Sequence, residues 1–178
     1  MTEIIVYLLR AFFIILKYVP VFLITFLLEN IFLKKRGICR KKMLINAAFI
    51  LYLSALIDIV GLLEMKISIS SLFRDGYVMP NLIPFININI KQGAMNVLLF
   101  VPFGILVPKV FNKKKKNLTI IIVYALLVST TIEMLQLCGG RCFDIDDIVM
   151  NILGAVIGYA VTNDKTAICE KRKRKLAY

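Results

Sequence analysis

Five long apolar stretches run along the chain, separated by charged or turn-rich segments. A helix crosses about 30 Å of hydrocarbon with roughly 20 residues, or about 17 at the short end. The first stretch covers Phe12 to Leu33, with helix starting as early as Ile4. The second runs from Met43 to Leu63, the third from Ala94 to Val110 and the fourth from Leu118 to Leu137. The fifth, Ile148 to Thr162, is short and is extended upstream by the acidic turn before it. The pattern predicts an all-α membrane protein of five transmembrane helices, the second to fifth bundled around an extracytoplasmic polar pocket. There is no internal repeat, and the one long connection is Glu64 to Gly93.

Composition sharpens this reading. Of 178 residues, 60% are hydrophobic and only 19% are charged, with a mean hydropathy of +0.82. A single small core cannot hide that much apolar surface from water, so the excess must face lipid. A cytosolic enzyme, a secreted disulfide scaffold and a disordered regulator are excluded. Four Cys and no His remove most zinc patterns and the commonest general base. The first apolar run is not a cleavable signal peptide, because Glu3 spoils a basic start and no small-residue cleavage site follows. Glu3, Arg10 and Lys17 form one polar stripe at seven-residue spacing, with Lys17 expected to snorkel toward headgroups.

Charge sets the expected sidedness. Three segments, around Lys34–Lys42, Lys109–Lys116 and Lys165–Lys175, hold 17 of the 23 basic residues and only Glu29, Asp164 and Glu170 among the acids. Their balance of +14 against −2 elsewhere makes up the net +12. The positive-inside rule then predicts a multi-pass protein of the cell membrane with its N-terminus outside and its C-terminus cytoplasmic. The tail Lys171–Lys175 reads as an anchor to an anionic leaflet, not as a nucleic-acid site. The expected domains are 1–42 (first helix and basic loop), 43–162 (four-helix membrane domain) and 163–178 (basic cytoplasmic tail).

Polar residues gather on the predicted outer side. Ser129, Glu133 and Gln136 share one helix face, and Glu133 lies about one turn inside the boundary, where a carboxylate must pair, lose its charge or face water. Gly139 and Gly140 allow a sharp turn that returns Arg141 over the helix end, so Glu133 and Arg141 are expected to pair. Asp144, Asp147, Asn151, Gly154 and Gly158 then form a single stripe, with Asp144 a candidate N-cap. Gly154 and Gly158 make a small-xxx-small face for close helix approach. That face and the cap account for the glycines and Asp144, but not for Glu133, Arg141, Asp147 and Asn151 together. Asn96 shares a face with Phe100 and Gly104, and Pro102 is expected to kink that span. Upstream, Asn81-Leu82-Ile83-Pro84-Phe85 reads as an interfacial or re-entrant turn, and Asp58 is a further polar group toward the same side.

Asn81-Leu82-Ile83-Pro84-Phe85 with Asn96-Val97-Leu98-Leu99-Phe100-Val101-Pro102-Phe103-Gly104 resembles the first half of the VanZ-like family signature. Glu133-Met134-Leu135-Gln136, Arg141-Cys142-Phe143-Asp144-Ile145-Asp146-Asp147 and Asn151-Ile152-Leu153-Gly154-Ala155 resemble the second half. The resemblance covers Asn81 to Tyr159. It implies a membrane protein of the Gram-positive cell envelope, in a family tied to teicoplanin-type glycopeptide resistance. The family's polar set falls on Asn96, Glu133, Gln136, Arg141, Asp144, Asp147 and Asn151, the expected ligand-binding residues. No established reaction comes with it.

Three readings of function follow. The first is binding of a cell-wall precursor, a lipoglycopeptide or another lipid-linked ligand, with the polar pocket beside apolar helices suiting an amphiphile. The second is a membrane-embedded enzyme with Glu133 and Asp147 as acid and base. The third is a structural partner of another membrane protein through the Gly154/Gly158 face. No cofactor and no metal is expected, since the single acidic turn Asp144–Asp147 lacks the ligand count of a calcium loop. Cys138 and Cys142 are spaced to permit a disulfide without dictating one, and Cys39 and Cys169 are expected reduced. The topology makes a direct prediction. Cysteines introduced at Asp75 and Asn112, in a background lacking Cys138 and Cys142, should label from outside and inside respectively. Labelling of position 112 from outside intact cells would overturn the orientation.

Overall fold

A computed structural model describes residues 2–32, 40–65, 80–85, 89–111 and 117–175. Six helices follow in chain order: α1 Thr2–Lys17, α2 Val19–Phe32, α3 Arg40–Ile59, α4 Ile90–Val110, α5 Leu118–Cys138 and α6 Ile145–Lys175. The first apolar stretch is therefore two helices meeting at Tyr18, not one. Pro20 explains the join, because it has no N–H for the Leu16 carbonyl and its ring crowds that turn. Five stretches are long and apolar enough to cross a membrane: Leu9–Ile31, Arg40–Ile59, Ile90–Val110, Leu118–Cys138 and Ile145–Thr162. The chain is an all-helical, multi-pass membrane protein. α6 runs on to Lys175, past the expected end of the fifth span. The basic residues 34–36 and 113–116, Cys39, and positions 75 and 112 lie outside the described residues, as does the Cys169 side chain.

Helix ends are set by local chemistry. The Asn89 side chain accepts from the Gln92 amide to cap α4, and Asn117 caps α5 through the Thr119 amide. Pro102 sits inside α4 without ending it. α3 and α5 stop in the same way. At the end of α3, Gly61 N–H donates to the Asp58 carbonyl and Leu62 N–H to the Ile57 carbonyl. At the end of α5, Gly140 donates to Leu137 and Arg141 to Gln136. These are Schellman motifs, and they require the left-handed backbone that Gly61 and Gly140 adopt at φ 78° and 82°.

α4 and α6 form the most intimate pair. A Cβ at Gly154 would land on the Val97 carbonyl, one at Gly158 on the Val101 carbonyl, and one at Gly104 on the Ala155 carbonyl. The two backbones touch because these three positions carry no side chain. The Gly154/Gly158 face is thus used within the chain, which removes it as a docking face for another membrane protein. Around this seam Phe100, Phe103, Val107, Ala155 and Tyr159 pack with Leu56 of α3 and Ile121, Ala125 and Ile132 of α5.

The first span is peripheral. None of its side chains from Leu9 to Ile31 is buried, and Phe12, Phe13, Leu23 and Leu27 are left for lipid to cover. It is tied to α3 by Lys17, whose Nζ lies 2.8 Å from Asp58 Oδ2. Lys17 therefore reaches across to a buried acid as well as sitting toward the surface, and Asp58 is held by this pair instead of joining the polar cluster.

A Leu at Gly154 should force the α4–α6 seam apart. We expect Gly154→Leu to destabilise the fold by about 3 kcal/mol or more, the upper end for overpacking. It should also lower the yield of monodisperse protein, read by size-exclusion chromatography and thermal unfolding in detergent. A normal melting temperature would contradict the seam.

Candidate functional site

At one end of the bundle, the last residues of α3, the first turns of α4, the last turns of α5 and the start of α6 surround a cavity of about 360 Å³. Six of the seven residues singled out in the sequence line it: Asn96, Glu133, Gln136, Arg141, Asp147 and Asn151. The seventh, Asp144, stands beside the cavity and has another task. Its Oδ1 accepts from the Asp146 amide at 2.9 Å and from Asn81 Nδ2 at 3.0 Å. It is the N-cap of α6.

The segment Asn81–Phe85 is docked on that cap. Asn81 N–H donates to the Phe143 carbonyl, the Asn81 carbonyl accepts from Ile145 N–H, and the Phe85 amide donates to Asp146 Oδ1. The turn expected to be interfacial or re-entrant is a strap across the start of α6. Leu82, Ile83 and Phe85 remain more than half exposed.

The expected Glu133–Arg141 ion pair does not form. Glu133 is only 2% exposed, and its Oε2 accepts from the Asp144 backbone amide at 3.0 Å. The guanidinium of Arg141 instead donates to the Val60 carbonyl at 3.3 Å, and Gln136 Nε2 reaches the same carbonyl at 3.1 Å. The physical reason is the start of α6. An unpaired amide at the positive end of a helix is a good partner for a carboxylate. The Val60 carbonyl, free at the end of α3, is in turn a ready acceptor for Arg141.

The remaining polar groups interlock across helices. Both oxygens of Asp147 accept from Gln92 Nε2, at 3.0 and 2.8 Å. Asn151 Nδ2 donates to the fully buried Ser129 Oγ at 2.8 Å. Of the residues lining the cavity, Asn151 and Asn96 each keep a buried atom, Oδ1 and Nδ2, without a hydrogen-bond partner in the protein, Asn96 lying beside Asp147; away from the cavity the same holds for Asp146 Oδ2 and Glu29 Oε2. Asn151 as a whole is 4% exposed. A buried polar atom without a partner is costly, and the cavity has one such acceptor, Asn151 Oδ1, and one such donor, Asn96 Nδ2.

Gln92 and the neighbouring Asn89 and Lys91 also line the cavity and were not singled out from the sequence. A signal existed, since Gln92 lies four residues before Asn96 on the same helix face. The acids of the turn do not converge as metal ligands would. Asp144 faces Asn81, Asp146 faces the Phe85 amide and Asp147 faces Gln92. Among the described residues no three His, Cys, Asp or Glu side chains gather around one point. Cys138 and Cys142 are unbridged and half-buried.

Helices long enough to span a bilayer, closing at one end on a polar cavity lined by both signs of charge, define a multi-pass membrane protein. Residues 48–166 match the family model VanZ/LLP1. Protein VanZ of Enterococcus faecium is 31% identical over 127 residues, covering 68% of this chain and 77% of that protein. The chain belongs to the VanZ-like family. No solved structure matches it.

The Glu133 contact makes a prediction. Glu133→Gln keeps an oxygen that can accept from the Asp144 amide, so unfolding should shift little. Glu133→Leu leaves that amide unsatisfied and should cost about 1–3 kcal/mol. Equal thermal stability of the two variants in detergent would show that the contact does not hold the site together.

Proposed function

We propose that this protein binds a cell-envelope or lipid-linked amphiphile with its polar part in the cavity, and thereby contributes to teicoplanin-type glycopeptide resistance. The observation that carries the binding reading is the unpartnered Asn151 Oδ1, on a side chain 4% exposed, in a cavity that also holds Glu133, Asp147 and Arg141. A volume of about 360 Å³ falls in the range of small-molecule sites. Arg141 suits a phosphate or carboxylate. Glu133, Asp147 and the amides suit hydroxyl, amide or ammonium groups. By charge, this end of the bundle faces outside, where envelope ligands and glycopeptides meet the membrane. The resistance role rests on kinship with VanZ-like proteins.

The two acids in one cavity also allow a second reading, an enzyme acting on a cell-wall or lipid precursor with Glu133 and Asp147 as acid and base. Turnover of isolated precursors by the purified protein would favour it over binding alone.

Asp147→Asn is the sharpest test of a charged pocket. Asn preserves shape and can hydrogen-bond to Gln92 but removes the charge, so a packing role would tolerate it. The variant should abolish any resistance phenotype in a drug-susceptibility assay on matched strains, with expression and membrane insertion unchanged. Full resistance at normal abundance would sink the charged-pocket reading.

A further inference from the structure

Two apolar grooves begin at the polar cavity and run down opposite sides of α3. One lies between α3, α4 and α1, with a volume of about 260 Å³, and shares Ile59 and Leu99 with the cavity. The other lies between α3 and α5, with a volume of about 510 Å³, and shares Val60 and Ile132 with the cavity. Leu56 separates them and lines both. We propose that the ligand is a lipid with two hydrocarbon chains, straddling α3 with one chain in each groove and its head in the cavity.

This inference rests on the amphiphile reading above and adds the class of molecule. Depth supports it. Along α3 the first groove reaches from Ile59 to Ala48, about 16 Å at 1.5 Å per residue. Along α5 the second reaches from Leu135 to Leu127, about 12 Å. Half of a hydrocarbon core about 30 Å thick is one leaflet. Each groove therefore accommodates a chain that stays within its own leaflet, and there are two of them. A single polyprenyl chain would fill one groove and leave the other idle. At the top, Arg141 and the acids Glu133 and Asp147 lie around one cavity, so a head carrying both a phosphate and an amine matches both signs of charge.

The test uses the full chain, purified and delipidated in detergent, titrated with phosphatidylethanolamine and with lysophosphatidylethanolamine, which has the same head and one chain. Native mass spectrometry reads the affinities. The two-chain lipid should bind at least about tenfold more tightly, equivalent to about 1.4 kcal/mol. Ala11→Phe fills the α1 side and Thr131→Phe the α5 side. Each should erase most of that preference while changing one-chain binding less than about threefold. Where Ala11→Phe does not give monodisperse protein, Ala11→Leu replaces it. Asp147→Asn should weaken both lipids together. Equal affinity of the wild type for both lipids, with both weakened by Asp147→Asn, overturns the two-chain assignment and leaves the cavity reading standing. Binding of both lipids unchanged by Asp147→Asn overturns the cavity reading itself. Tighter binding of a polyprenyl phosphate than of the two-chain lipid overturns the class proposed here.

Discussion

The carbonyls of Val97 and Val101 on α4 occupy the space that side chains at positions 154 and 158 of α6 would need. Lipid supplies no hydrophobic drive to press two helices together, so close van der Waals contact between backbones must do that work. Three glycines, 104, 154 and 158, make it possible. The register they impose brings the polar first turns of both helices to the same end of the bundle. Asn96 and Gln92 on α4 and Asp147 and Asn151 on α6 then border one cavity. Without this seam the same residues would face lipid or one another at random.

A second layer of order comes from helix ends. α3 and α5 both terminate in glycine Schellman motifs at the polar end, and α6 starts there under an aspartate cap. Free backbone groups are therefore concentrated where the polar side chains are. They are satisfied crosswise: Val60 of α3 by Gln136 and Arg141, and the Asp144 amide by Glu133 of α5. Asn81 closes the start of α6 from the long connection. The network holds α3, α5 and α6 in place while leaving Asn96 Nδ2 and Asn151 Oδ1 without partners. Unpartnered polar atoms are costly in a membrane, and these two belong to residues that line the cavity.

Much of this was legible along the chain. Apolar run length and the distribution of Lys and Arg are local quantities, and they specified five spans and an expected orientation because the bilayer acts on each segment separately. Helical spacing put Glu133 with Gln136 and Asp147 with Asn151 on single faces, and the Gly154/Gly158 pattern marked a contact surface. Three-dimensional packing decided the rest. That surface meets α4, not another protein, because Gly104 and the Val97 and Val101 carbonyls complement it. Lys17 pairs with Asp58, and Glu133 with a backbone amide instead of Arg141. Each of those pairings is a competition among donors and acceptors on different elements. Spacing along a helix says which face a side chain occupies, but only the packed bundle brings one candidate partner within hydrogen-bond distance and leaves another out of reach.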